Sequence, residues 1–147
     1  MQTRHNALES PSFIGTEHEY SINDKDQRAL AISDRIIERI AGRVDHEVAF
    51  GGILISKELQ KHAIELIPKS PGGLSYLEES LYQGLCQLYR ATNHEYGFMG
   101  LGMHPLLRLD ETAYWDHDEQ EYYQAYDRLF NIRQHGWLNI QALQINI

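Results

Sequence analysis

The sequence predicts an α+β domain with a largely antiparallel sheet and helices packed on one face. Three observations predict it. Strand-like segments outnumber helical ones, and two long stretches carry helical apolar spacing. Tight links rich in Gly and Pro join some segments, giving the order β-α-β-β-α-β-α-β. No internal repeat or linker interrupts residues 13–147, which read as one domain behind a polar, flexible start at residues 1–12.

The first strand covers Phe13–Ile22, where Gly15, Glu17 and Glu19 share one parity and Ile14, Thr16, His18, Tyr20 and Ile22 the other. A turn cluster at Asn23-Asp24-Lys25-Asp26 follows. Ser33 is a candidate N-cap for a helix through Ala41, with Ile36, Ile37 and Ile40 as its apolar stripe and Gly42 as its stop. Strands are expected at Arg43–Phe50 and Gln60–Ile67, separated by Gly51-Gly52 and ended by Pro68.

Leu74, Leu77, Leu81, Leu85 and Leu88 mark a helix to about Asn93, with Ser75 and Glu78 in capping-box spacing. Phe98–Met103 is a short strand and Asp110–Asp118 a polar, aromatic loop. Glu119–Gln134 is the second long helix, with Tyr122, Tyr126, Leu129 and Phe130 on one side and Asp116 or Asp118 as its cap. The final stretch alternates Leu143, Ile145 and Ile147 against Gln144 and Asn146, the pattern of a strand buried on one face.

Composition narrows the function classes. The 147 residues hold 13 Lys plus Arg against 21 Asp plus Glu, a net charge of −8. That balance argues against sequence-independent binding to nucleic acid, which needs clustered cations. A hydrophobic content of 42% excludes a disordered chain, and no apolar run is long enough to span a membrane. A single cysteine, Cys86, fits a reducing cytoplasm and reads as a small apolar residue in a helix rather than a nucleophile.

The chemistry concentrates on carboxylates. A strand with an apolar opposite face puts Glu17 and Glu19 side by side on a half-buried surface, where like charges need a cation between them. Glu65 lies between Ile64 and Leu66 in a second such strand, and Gln144 and Asn146 share a face of a third. Oxygen donors on three strands suit a hard cation such as Mg²⁺, which takes carboxylates together with substrate phosphates.

These residues resemble the N-terminal part of the glutamate–cysteine ligase family, in its bacterial and archaeal carboxylate–amine ligase branch. The matching stretches are GTEHEY at Gly15–Tyr20, SKELQKHAIELIPKSP at Ser56–Pro71, GLGMHP at Gly100–Pro105, YQAYDRLF at Tyr123–Phe130 and HGWLNIQALQINI at His135–Ile147. The resemblance implies a glutamine synthetase-like antiparallel sheet whose concave face binds ATP and Mg²⁺. It implies amide formation through an acyl phosphate, from a glutamate-like carboxylate and an amine, with glutathione biosynthesis as the best-known setting. By the same resemblance, Glu17, Glu19, Glu58 and Glu65 are metal ligands, and Gln144 and Asn146 reach metal and nucleotide.

Departures from the family pattern qualify that picture. Gln144 stands where the family usually has a histidine. Glu58 and Glu65 are seven apart, an interval that reverses the face within one strand, so Glu58 has to lie in a turn or bulge to join the site. Family members are longer, and their later acidic ligands and phosphate-binding arginine are absent here; Lys57, Lys61, Lys69 and Arg108 are the cations near the motifs. The alternative function is therefore a truncated, non-catalytic relative or split-enzyme half that binds metal or nucleotide weakly or scaffolds a partner. An open sheet edge would favour a homo-oligomer or a complementary C-terminal chain. His104 is a secondary candidate for a catalytic histidine, and Trp115–Glu119 for a metal loop, each against a structural reading.

Overall fold

The computed structural model describes residues 14–70 and 72–147, so the expected flexible start lies outside the described residues. The chain forms β1 (Gly15–Asn23), α1 (Ser33–Ala41), β2 (Glu47–Phe50), β3 (Ile53–Lys57), β4 (Ala63–Pro68), α2 (Leu74–Ala91) and β5 (Gly97–Met99). A 3-10 turn at Leu109–Glu111 precedes α3 (Gln120–Phe130), α4 (His135–Leu138) and β6 (Leu143–Asn146).

All strands pair antiparallel in the order β2-β3-β4-β1, and both β5 and β6 pair with the remaining edge of β1. β6 takes Gly15–His18 and β5 takes Ser21–Asn23. This is the α+β architecture expected from the sequence. α1 and α2 pack against β2, β3 and β4. Ile22, Ile53, Ile55, Ile64 and Leu66 form the sheet's part of the core, with Ile36 and Ile37 from α1 and Leu81 and Leu88 from α2. Burying each such side chain contributes about 1.5–3 kcal/mol.

Gly84 explains how α2 comes so close. A Cβ there would lie 2.6 Å from Ile53 Cδ1, so only glycine admits this approach.

Several expectations are corrected. The region between Phe50 and Gln60, where the sequence predicts no element, holds β3. β2 and β3 form a hairpin across Gly51-Gly52, where Gly51 takes a positive φ of 59°. Ile53-Leu54-Ile55 is a continuous apolar run, with no polar–apolar alternation to mark it as a strand. The expected strand at Gln60–Ile67 begins at Ala63, and the long C-terminal helix stops at Phe130, where Asn131 turns left-handed.

Gly42 ends α1 in a left-handed turn as expected, its N–H donating to the Glu38 carbonyl, but none of the proposed N-caps forms. α1 has Ile32 at its N-cap, α2 has Gly73 and α3 has Glu119, each without a side-chain cap bond. Asp116 and Asp118 are drawn off by Lys61, Trp115 and His46 instead.

Two apolar faces are open rather than buried. In α3, Tyr122, Tyr126, Leu129 and Phe130 are exposed, and Tyr123 is the residue that enters the core. In β6 all four residues are exposed, Leu143 and Ile145 each to 61%. Cys86 is half-buried on α2. Among the described residues no helix is long and apolar enough to cross a membrane.

Candidate functional site

Alternation along β1 sends His18, Tyr20 and Ile22 toward the helices and Glu17, Glu19, Ser21 and Asn23 to the opposite face. Glu65 of β4 stands directly across from Glu19 on one side and from Ser56 of β3 on the other. Gln144 of β6 stands across from Glu17. Carboxyl oxygens of Glu19, Glu58 and Glu65 lie within 4.8 Å of one another. The Asn146 amide donates to Glu17 Oε1 at 2.9 Å, and the Gln144 side chain lies close enough to Glu19 to offset part of the rise in its pKa. All six residues singled out in the sequence therefore meet on one face.

Glu58 joins them for a reason hidden by treating it and Glu65 as one strand. It sits immediately after β3, in the connection to β4. In the register that pairs Ser56 with Glu65, the next position of the same parity, Glu58, turns to the same face. The interval of seven thus runs across a hairpin, not along a strand.

Among the described residues no lysine or arginine pairs with the cluster, and Lys57 offsets only part of the repulsion at Glu58. Glu19 and Glu65 are 8% and 6% exposed. Burial first, then repulsion from Glu19 and Glu65, pushes the Glu58 carboxyl up to about 8. Burial, then Glu17 and Glu19, pushes Glu65 up to about 7, and burial raises Glu19 as well.

The nearby cations are engaged elsewhere. Lys57 Nζ binds Glu119 Oε2 at 2.8 Å and the Tyr123 hydroxyl. Lys61 pairs with Asp34 and Asp116 at 2.7 and 2.8 Å, Lys69 donates to the Gly51 carbonyl, and Arg108 pairs with Asp110. A buried carboxylate cluster left without its own cation fits a hard divalent ion, whose preferred donors are these oxygens.

A cleft of about 290 Å³ opens at the edge of β1 where β5 gives way to β6, lined by Glu19 and Gln141 together with the helix-side residues His18, Tyr20 and Leu143. Behind it runs a buried polar network that the sequence reading missed. His104 Nε2 donates to Asn23 Oδ1 at 2.7 Å while its Nδ1 accepts from the Leu106 amide at 3.1 Å, which fixes the neutral tautomer. Asn139 brackets the His104 backbone through both its amide atoms. His62 contacts Thr112 Oγ1 at 2.7 Å, and burial drops it to about 4. His104 is thus a pinned structural residue. The available signal was the β1 parity, which runs on from Glu17 and Glu19 through Ser21 and Asn23.

The Trp115–Glu119 loop divides its acids between two further clusters, Asp34–Asp116–His117 and His46–Asp118–Glu119. Lys61 occupies the first and Lys57 binds Glu119 of the second, so each carries its own cation.

Residues 13–147 match the sequence profile of glutamate-cysteine ligase family 2 (GCS2). A protein of Archaeoglobus fulgidus, described as uncharacterized, is 52% identical over 135 residues, which make up 91% of this chain and 37% of that protein. The chain spans little more than a third of the length of that relative.

Proposed function

The chain belongs to glutamate-cysteine ligase family 2, and from that membership we propose that it carries the metal- and nucleotide-binding face of an ATP-dependent carboxylate–amine ligase. The observation that carries this reading is the close approach of Glu19, Glu58 and Glu65 without a lysine or arginine among them. In this reading the three carboxylates hold Mg²⁺. Glu17, oriented by Asn146, would accept from a water on the ion, and the Gln144 amide at the rim would donate to a phosphate oxygen.

In this reaction the γ-phosphoryl group of ATP would pass to a glutamate-like carboxylate with release of ADP, and an amine would then displace phosphate from the acyl phosphate to give the amide. The chain's own part is to fix the ion on rigid strands, so that charge on the transferred group meets preorganised partners.

A second reading is favoured by the length comparison. A chain spanning 37% of its relative, with its own cations committed elsewhere, would bind metal and nucleotide without completing the reaction.

The experiment has two readouts. Mn²⁺ binding, followed by electron paramagnetic resonance, is expected for the wild type and should weaken at least about tenfold in Glu65→Gln. ATP-dependent phosphate release with glutamate and a panel of amines is expected to stay at background for the chain alone. Robust release that vanishes in Glu17→Gln would make this chain a complete enzyme, whereas wild-type Mn²⁺ affinity in Glu65→Gln would remove the metal site.

A further inference from the structure

Helix α3 carries an apolar stripe that the rest of the described chain leaves largely open. Tyr122, Tyr126 and Leu129 follow one another at intervals of four and three residues, so they lie along one side of the helix. Tyr122 is 67% exposed and Leu129 73%. Phe130 extends the stripe. Its ring lies 6.2 Å from that of Tyr126 and stacks at 5.6 Å on Trp137 of α4, and both of those rings are exposed. Tyr123 enters the core and anchors α3, so the stripe is presented outward on a fixed element.

The charges beside the stripe are self-complementary. Glu121 in the first turn and Arg128 in the last are seven residues apart, so they lie on the same flank, with Ala125 between them. Both are exposed, and among the described residues neither takes part in an ion pair, whereas Asp127 is held by Arg133 at 3.2 Å. When two such helices meet antiparallel about a two-fold axis near Ala125, Glu121 of each copy comes beside Arg128 of the other, and the contact forms twice. A parallel meeting would set Glu121 beside Glu121 and Arg128 beside Arg128. The antiparallel sense also brings each helix N-terminus to the C-terminus of its neighbour, which suits the helix dipoles.

We propose that α3 is a homodimer interface, packing antiparallel on α3 of a second copy through the aromatic stripe, with two Glu121–Arg128 contacts setting the direction. At about 150–250 Å² for each aromatic side chain, the exposed parts of the stripe and Trp137 offer roughly 500 Å² per copy. Flanking residues add to this, toward the ~800 Å² that each side of a stable interface buries. The apolar area supplies affinity, and the exposed charge pairs select orientation. A second copy answers both features at once, because the charge row is complementary to itself. No member of the carboxylate cluster lies on this face, so dimerisation and the ligase reading fail separately.

Sedimentation equilibrium of the full 147-residue chain, from about 1 µM to 1 mM and without metal or ATP, tests the proposal. A monomer–dimer equilibrium is expected. Leu129→Asp should weaken it by about tenfold or more while leaving the thermal midpoint of the monomer unchanged, since that side chain is largely exposed. Glu121→Arg and Arg128→Glu should each weaken it by about tenfold, through two lost pairs and two like-charge contacts. An equal mixture of the two charge variants should dimerise as the wild type does, because each then carries the charges the other lacks. That recovery separates the antiparallel helix pair from apolar association of any other kind.

A chain that stays monomeric up to 1 mM overturns the proposal. So does wild-type association in Leu129→Asp, or a mixture of the charge variants that fails to recover. A dimer that dissociates in Ile145→Asp but not in Leu129→Asp would place the contact on β6 instead and overturn it as well.

Discussion

Ile64 and Leu66 on one face of β4 and Glu65 on the other are almost equally hidden from water, and burial has opposite consequences for them. The two apolar residues are fully buried against the helices. Glu65 is 6% exposed, and its surroundings hold its carboxyl near 7. Burial of Ile64 and Leu66 stabilises the fold by removing apolar surface from water. Burial of Glu65 beside Glu19 and Glu58 costs stability, because among the described residues no lysine or arginine pairs with these carboxylates. One strand thus carries the fold on its even positions and the chemistry on its odd ones, and a sheet face that opposes folding by itself is suited to binding an ion.

The comparison predicts large effects on one face and effects of opposite sign on the other. Leu66→Ala should cost roughly 2–5 kcal/mol, seen as a lower urea midpoint at unchanged slope. A cost under about 1 kcal/mol would show that the helix face is not the main source of stability.

The carboxylate face should appear as a pH dependence. Glu58 has an ordinary carboxyl value of 4.5 when unfolded and about 8 when folded. Below 4.5 it is protonated in both states. As pH rises toward 8, the unfolded chain ionises first, so metal-free stability should fall, by up to about 1.4 kcal/mol per pH unit for each such group. Glu58→Gln should flatten that fall, and millimolar Mg²⁺ or Mn²⁺ should reduce it by binding the ionised cluster. Thermal melts at pH 5, 6.5 and 8, with and without metal, measure both, and stability that rises over this range would contradict the assignment.

Gly84→Ala tests how closely helix and sheet meet. The added methyl would collide with the buried Ile53 side chain, so a net loss of about 1–2 kcal/mol is expected despite alanine's better helix propensity. The smallest expected effect is at the far end of the carboxylate row. Glu47 lies across from Ser56, which lies across from Glu65, and its charge adds the weakest of the repulsions raising Glu65. Glu47→Gln should stabilise the metal-free chain at pH 8 by less than about 0.5 kcal/mol. A larger gain would mean that the repulsion reaches across the whole sheet.

Much of this was legible in the sequence, for a local reason. Strand parity depends only on the two-residue repeat of an extended chain, so Glu17 with Glu19, and Gln144 with Asn146, could be assigned to faces before any partner strand was known. The helical stripe of α2 and the α+β class follow from equally local periodicities. The structure decided what depends on pairing. β3 opens on an unbroken apolar run that carries no alternation, and it becomes a strand because β2 and β4 complete its hydrogen bonds. Its presence turns the interval between Glu58 and Glu65 into a crossing of neighbouring strands and brings both carboxylates to Glu19. Tertiary contacts also drew the expected capping side chains Asp116 and Asp118 into other bonds and turned His104 inward onto Asn23. They left Leu143, Ile145 and the α3 aromatics exposed. An apolar stripe records that a face avoids water, but which surface covers it is set by the rest of the fold.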